Sequence, residues 1–304
     1  MNQYKKFLGR TDLVKNQVER EKLAEQEATS KRKRSIQQQN KQRWLKYQEQ
    51  LRSELAARYF HSVVSAGGES DTFSNKYSIS LDGTNDHAAI PSFTSLDGLD
   101  KFTVSAWVKM PSGGGGGLMG KNNTSAYNSQ RFKWTLSLGA VQMYVGNITF
   151  SASLSLSADT WYHVVWRYDK TLSGNFNKSR LSINNVNVTN TNGSNTPAVV
   201  ADTDPFTIGV IFRGTSSPII LSAFEGNIDE VSIWNTALSD GEITSIYNSG
   251  NPNDVSNSGI NGLVNWYRMG DNDGGTGTTL TDAGSGGNNG SLLNGAAFEE
   301  DTPG

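Results

Sequence analysis

The stretch FEGNIDEVSIWNTALSDGEI, residues 224–243, sets two acids side by side at Asp229 and Glu230. Neighbouring carboxylates can share a proton, ligate a cation or flank a bond to be cut, and each use needs different company. A second acidic run, GDNDGG at 270–275, looks like a cation loop, but it lacks the glutamate at position twelve of a helix-loop-helix calcium site and reads better as a turn. Asp82 and Asp86 of LDGTND also have a plain role, since short acids in turns bond nearby backbone donors. The histidines, His61, His87 and His163, come with no G-x-S-x-G and no H-E-x-x-H. Neither nucleophilic nor zinc-assisted hydrolysis has its constellation, and His163, opposite in parity to Trp166, is read as a sheet residue.

The elements that must hold these acids show a period of two after residue 76. In YSISL, Tyr77, Ile79 and Leu81 face one way; in FTVSAWVKM, Phe102, Val104, Ala106, Val108 and Met110 share a side. Similar runs recur at 131–138, 141–146, 161–168, 180–188 and 206–212, separated by Gly, Asn, Ser and Asp. Many short strands with no helices between them predict an antiparallel sandwich. Residues 224–234 form the last long strand, and its alternation slips near Asp229, as a β-bulge would cause. Ser239 and Glu242 make a capping box for a helix with Ile243, Ile246 and Tyr247 inward and Gly250 as its stop.

The first sixty residues differ in kind. They carry 15 Lys and Arg against 7 Asp and Glu, and one glycine, whereas the rest carries 12 against 22 and thirty-one glycines. From Asp12 to Phe60 there is neither Gly nor Pro, which predicts a long helical arm. Its apolar stripe, Trp44, Tyr47, Leu51, Leu55 and Tyr59, is too narrow to stabilise it alone, so the arm is expected to be ordered by partners. Three readings stay open: a parallel homo-oligomeric coil, docking on another protein, or packing on its own domain. Lys31-Arg32-Lys33-Arg34 is read as a solvated or protein-contacting face, and nucleic acid is not an expected partner. Residues 61–76 read as a linker, 77–298 as the sandwich domain and 299–304 as a tail. The chain has no cysteine, its N-terminus lacks a signal-peptide pattern, and no run reaches the ~20 apolar residues of a membrane span.

The runs YSISLDGTNDHAAIP, FTVSAWVKM, WYHVVWRYD, RLSINNVNV, FTIGVIF, FEGNIDEVSIWNTALSDGEITSIYNSG and LVNWYRMGDNDGGTGTTLTDAGSGGNNGSLLNGAAF resemble successive elements of laminin-G-like, concanavalin A-like jelly-roll domains. The resemblance covers roughly 76–298, with G-x-I-D-E-V-x-I-W before a capped helix as its most specific part. The last segment precedes the first strand in extracellular members; its place after the helix resembles structural proteins of tailed bacteriophages.

The resemblance implies an all-β antiparallel jelly-roll sandwich behind the helical arm, and a structural Ca2+ held by Asp229, Asp82 and Asp86. It also implies a test for glycosidase chemistry, in which acids stand at alternate positions of one strand face. Glu225, Asn227 and Asp229 occupy such a face with the middle acid missing, so catalysis is not expected. Tyr127, Trp134, Trp161, Trp166, Trp234 and Trp266 are candidate glycan platforms, although most sit in strand patterns that favour the core; the loop PSGGGGGLMGKNNTSAYNSQ is a candidate binding rim. Together these readings give a virion protein of fibre, spike or decoration type, made in the host cytoplasm. Its arm is expected to anchor to other virion proteins and its lectin-like head to meet host-surface glycans or simply to decorate the particle. The alternative is a carbohydrate-active enzyme or its accessory binding module.

Overall fold

The computed structural model describes residues 73–121, 132–146, 148–173, 178–189, 191–192, 199, 204–213 and 219–304, with residues 17, 19–22, 25, 26, 31 and 38 of the first segment. Those scattered positions are helical; the arm as one continuous element, and its partners, lie outside the described residues. The chain divides into two compact units, Met1–Thr72 and Phe73–Gly304.

Alternation builds the second unit. Among the described residues it has nineteen strands, β1 to β19 in chain order, and every pairing is antiparallel. One layer runs β19 (Ala297–Glu299), β1 (Ser78–Asp82), β15 (Glu225–Trp234), β3 (Lys101–Lys109), β8 (Trp161–Asp169), β9 (Ser179–Ile183), β10 (Val186–Val188), with β16 (Leu263–Tyr267) along the second half of β15. The other runs β17 (Thr279–Leu280), β18 (Gly290–Leu293), β2 (His87–Ile90), β12 (Phe206–Ile208), β4 (Gly115–Lys121), β5 (Phe132–Ser137), β6 (Ala140–Val145), β7 (Ile148–Ser153), β11 (Thr191–Asn192). Val104, Val108, Trp166 and Ile228 of the first layer share one fully buried cluster with Trp134, Met143 and Phe206 of the second. This is the expected sandwich.

The central strands of the first layer are covered on both faces. Val165 and Trp234, of opposite parity to the main core, pack with Leu238, Ile243, Ile246, Val255 and Trp266. The helix α1 (Asp240–Tyr247) supplies two of these residues, and its capping box is formed as the sequence predicts. It ends earlier than expected. Asn248, at φ 46°, takes the left-handed cap, so the stop falls two residues before Gly250.

The C-terminal segment completes both layers, since β16 pairs with β15, β18 with β2 and β19 with β1. Residues at the edges of the domain also pack. Phe73 stacks on Trp266 with centroids 6.4 Å apart, Lys76 N–H donates to Asp271, and Trp161 Nε1–H donates to Asp301 at 3.2 Å.

The glycine-rich stretch differs from the loop expected of it: residues 115–121 are strand β4, while 122–130 fall outside the described residues. A hairpin of β13 (Val210–Arg213) and β14 (Ile219–Ala223) crosses this strand so closely that a Cβ at Gly116 would stand 1.9 Å from the Ala223 carbonyl oxygen, and one at Gly117 2.4 Å from that of Ser222. The glycines are there to let a second backbone through.

Candidate functional site

The β15 strand places the paired acids. Its register against β3 shifts between Asp229 and Ser232, and Glu230 takes φ 48°, so the predicted bulge is present. The bulge turns two successive acids into buried surroundings, with Asp229 at 0% and Glu230 at 5% exposure. Asp229 accepts the Glu230 N–H at 2.7 Å and the Asn75 amide at 2.8 Å. Glu230 accepts Trp266 Nε1–H at 2.5 Å and Arg268 Nε–H at 3.2 Å. Burial pushes the Glu230 carboxyl up to about 7, opposed by the Arg268 charge and the indole hydrogen bond. Burial, then the Glu230 charge, raises Asp229 well above the usual carboxylate range. Both oxygens of each acid are spoken for inside the protein, and their geometry makes them a structural knot.

Asp82 and Asp86 lie elsewhere. Asp82 ends β1 opposite Glu225, four residues along β15 from Asp229, or about 13 Å of strand. Asp82 accepts the N–H groups of Thr84 and Asn85, the first of which chiefly holds its carboxyl below the ordinary value. Asp86 accepts the Asp82 N–H at 3.3 Å, and burial followed by the Asp82 charge raises it. These are turn bonds. Asp82 and Asp86 thus lie together at one end of β1, away from Asp229, and among the described residues no group of three or more His, Asp or Glu is placed to hold a metal ion. In GDNDGG, Asp271 accepts Lys76 N–H and Asp273 accepts Thr281 N–H and Oγ1–H.

The aromatic candidates divide by parity. Trp134, Trp166 and Trp234 are fully buried and Trp266 is 4% exposed; Trp161 is half-buried at the end of β8, and Tyr127 lies outside the described residues. His163 sits on the covered face of β8, where its Nε2 pairs with Ser105 Oγ at 2.9 Å and its ring lies against Trp107 and Tyr247. Burial pushes it down to about 3, so it is neutral.

The accessible polar face is instead on β5, β6 and β7. Because Phe132, Trp134 and Leu136 point into the core, Lys133 and Thr135 point out; because Val141, Met143 and Val145 point in, Gln142 and Tyr144 point out. The register lines Lys133, Tyr144 and Thr149 in one row and Thr135, Gln142 and Ser151 in the next. Tyr144 Oη–H donates to Gln142 Oε1 at 3.0 Å, and Lys133 Nζ lies 4.2 Å from the Tyr144 ring centre. An aromatic ring, an amide, hydroxyls and a cation on a rigid sheet can stack on and hydrogen-bond a flat polar ligand. None of these residues was singled out in the sequence, although the alternation in FKWTLS, AVQMYV and ITFSAS contains them.

A family model described as concanavalin A-like lectin/glucanases superfamily matches residues 82–244, and the chain belongs to this laminin-G-like family. No curated protein matches. Among solved structures, a candidate carbohydrate binding protein from Bacteroides ovatus is 18% identical with a TM-score of 0.54; the match covers 75% of this chain and spans 61% of that one. The Limulus polyphemus SAP-like pentraxin is 16% identical, with a TM-score of 0.41, 57% of this chain and 82% of that chain. The sialidase CBM40 of Ruminococcus gnavus, in a structure with α2,3 sialyllactose, is 17% identical, with a TM-score of 0.45, 55% of this chain and 96% of that chain.

Proposed function

We propose that Phe73–Gly304 is a non-catalytic glycan-binding domain that uses the outer face of β5–β7. The observation that carries this reading is the outward-facing set of Lys133, Tyr144 and Thr149 in one row with Thr135 and Gln142 in the next, where a half-buried aromatic ring stands beside exposed polar side chains. Family membership and the fold shared with a candidate carbohydrate binding protein support it. The test is a glycan array probed with the full chain and with Tyr144→Ala. Binding that Tyr144→Ala weakens supports the reading; no binding to any glycan rejects it.

The setting we propose is a tailed-phage particle, with residues 1–60 as the anchor to other virion proteins. Two sequence features support it: the basic, glycine-poor first segment and the place of the WYRMGDNDGG segment after α1. Antibodies to this chain should label intact particles, and their failure to label any purified phage that encodes the chain rejects the setting.

A further inference from the structure

Lys133 is 8% exposed. A lysine so largely enclosed ordinarily has a carboxylate or a set of carbonyl acceptors at its end, because partly desolvating an uncompensated charge is costly. Other enclosed lysines of this domain obey the rule: Lys121 pairs with Asp97, and Lys109 with Asp301. Lys133 does not. Among the described residues no acid lies in ion-pair range of its Nζ and no acceptor takes a hydrogen bond from it; it lies over the π face of Tyr144, 4.2 Å from the ring centre. Burial alone pushes its pKa down, with no anion to oppose the shift.

We propose that the outer face of β5 and β6 binds an acidic saccharide, whose anionic group sits on Lys133 Nζ while Tyr144 packs against the sugar ring. The proposal rests on the glycan reading above and names the ligand class for that site. Thr135 and Gln142, one row along, give hydroxyl and amide partners for neutral sugar oxygens. A charged acceptor on Nζ supplies the compensation that the folded chain lacks and makes a stronger hydrogen bond than a neutral sugar hydroxyl can.

The experiment titrates the full chain with a uronic-acid oligosaccharide, its carboxyl-reduced neutral counterpart and a sulfated oligosaccharide, for wild type, Lys133→Met and Lys133→Arg. Wild type is expected to prefer an anionic probe to the neutral one at least about tenfold, a difference of about 1.4 kcal/mol. Lys133→Met should erase that preference, Lys133→Arg should keep most of it, and added salt should weaken only the anionic arms. The carboxylate and sulfate arms tell which anion the site takes. As a folding control, Lys133→Met should melt no lower than wild type. Equal binding of neutral and anionic probes, or an unchanged preference in Lys133→Met, overturns the proposal while leaving glycan binding intact; binding of no probe, together with an empty array, overturns both. A Lys133→Met domain that melts lower overturns the claim that the ammonium lacks a partner.

Discussion

The Glu230 carboxylate receives the Trp266 indole N–H at 2.5 Å while its own backbone holds φ 48°, so the strained residue of the β15 bulge is also the one that fastens β16 to it. A left-handed backbone at a non-glycine residue costs roughly 1–3 kcal/mol and persists only where surroundings enforce it. Removing the side chain leaves Trp266 Nε1 buried without its acceptor and takes from Arg268 one of its two ion-pair partners, Asp271 being the other. Glu230→Ala is expected to lose about 3 kcal/mol in urea unfolding, and a loss below about 1 kcal/mol would contradict the knot.

The pH dependence has a definite sign. Glu230 titrates at about 7 when folded against 4.5 ordinarily, so between those values the folded chain binds more protons, and stability falls as pH rises. His163 titrates at about 3 against 6.5, so between those values the unfolded chain binds more protons, and stability rises with pH. Each slope approaches about 1.4 kcal/mol per pH unit, and the two oppose one another between roughly pH 4.5 and 6.5. Glu230→Gln should therefore tilt the stability-pH curve upward over pH 5–7, and His163→Gln should tilt it downward. Parallel curves for wild type and both variants would refute the assignments.

Asp229 separates a structural acid from a cation ligand. Asp229→Asn keeps an acceptor for Glu230 N–H and offers an amide to Asn75 Oδ1, which is buried without a partner. It is expected to cost less than about 1 kcal/mol, whereas Asp229→Ala should cost about 2 kcal/mol. Because Asp82 stands opposite Glu225, adding a chelator should leave the wild-type Tm unchanged; a Tm that tracks Ca2+ through Asp229 would overturn this.

At Gly116, φ is 136° and an added Cβ would meet the Ala223 carbonyl oxygen. Gly116→Ala should lift the β13–β14 hairpin, costing about 3 kcal/mol or more and accelerating amide exchange along 210–213 and 219–223. Gly139→Ala is the control, since nothing lies within 4 Å of its added Cβ. Equal behaviour of the two variants would show that the crossing is not close.

Ser239→Ala removes one half of the α1 capping box. A loss of about 1 kcal/mol, or roughly 2–4 °C in Tm for a domain of this size, is expected, with Ser239→Asp near wild type. If both variants melt alike, the cap contributes nothing.

Side-chain alternation made the sandwich, the bulge and the α1 start readable in the sequence, because a half-buried strand writes its two faces into successive residues. It failed at β4, where glycines carry no side chain to alternate and the strand is defined by the backbone crossing it. For Asp82, Asp86 and Asp229, residue type announces oxygen ligands, and only the β1–β15 register shows how far apart along the strands Asp82 and Asp229 stand. Lys133 and Tyr144 were visible only by subtraction, as the residues left over once the inward row of β5 and β6 was assigned.

The pairing of β19 with β1 and of β18 with β2 orders events during synthesis. On the ribosome, the first two strands emerge roughly two hundred residues ahead of the partners that close them, and such distant contacts form slowly. The sandwich therefore cannot close until residue 299 has been made, so its two layers are sealed last by the segment synthesised last.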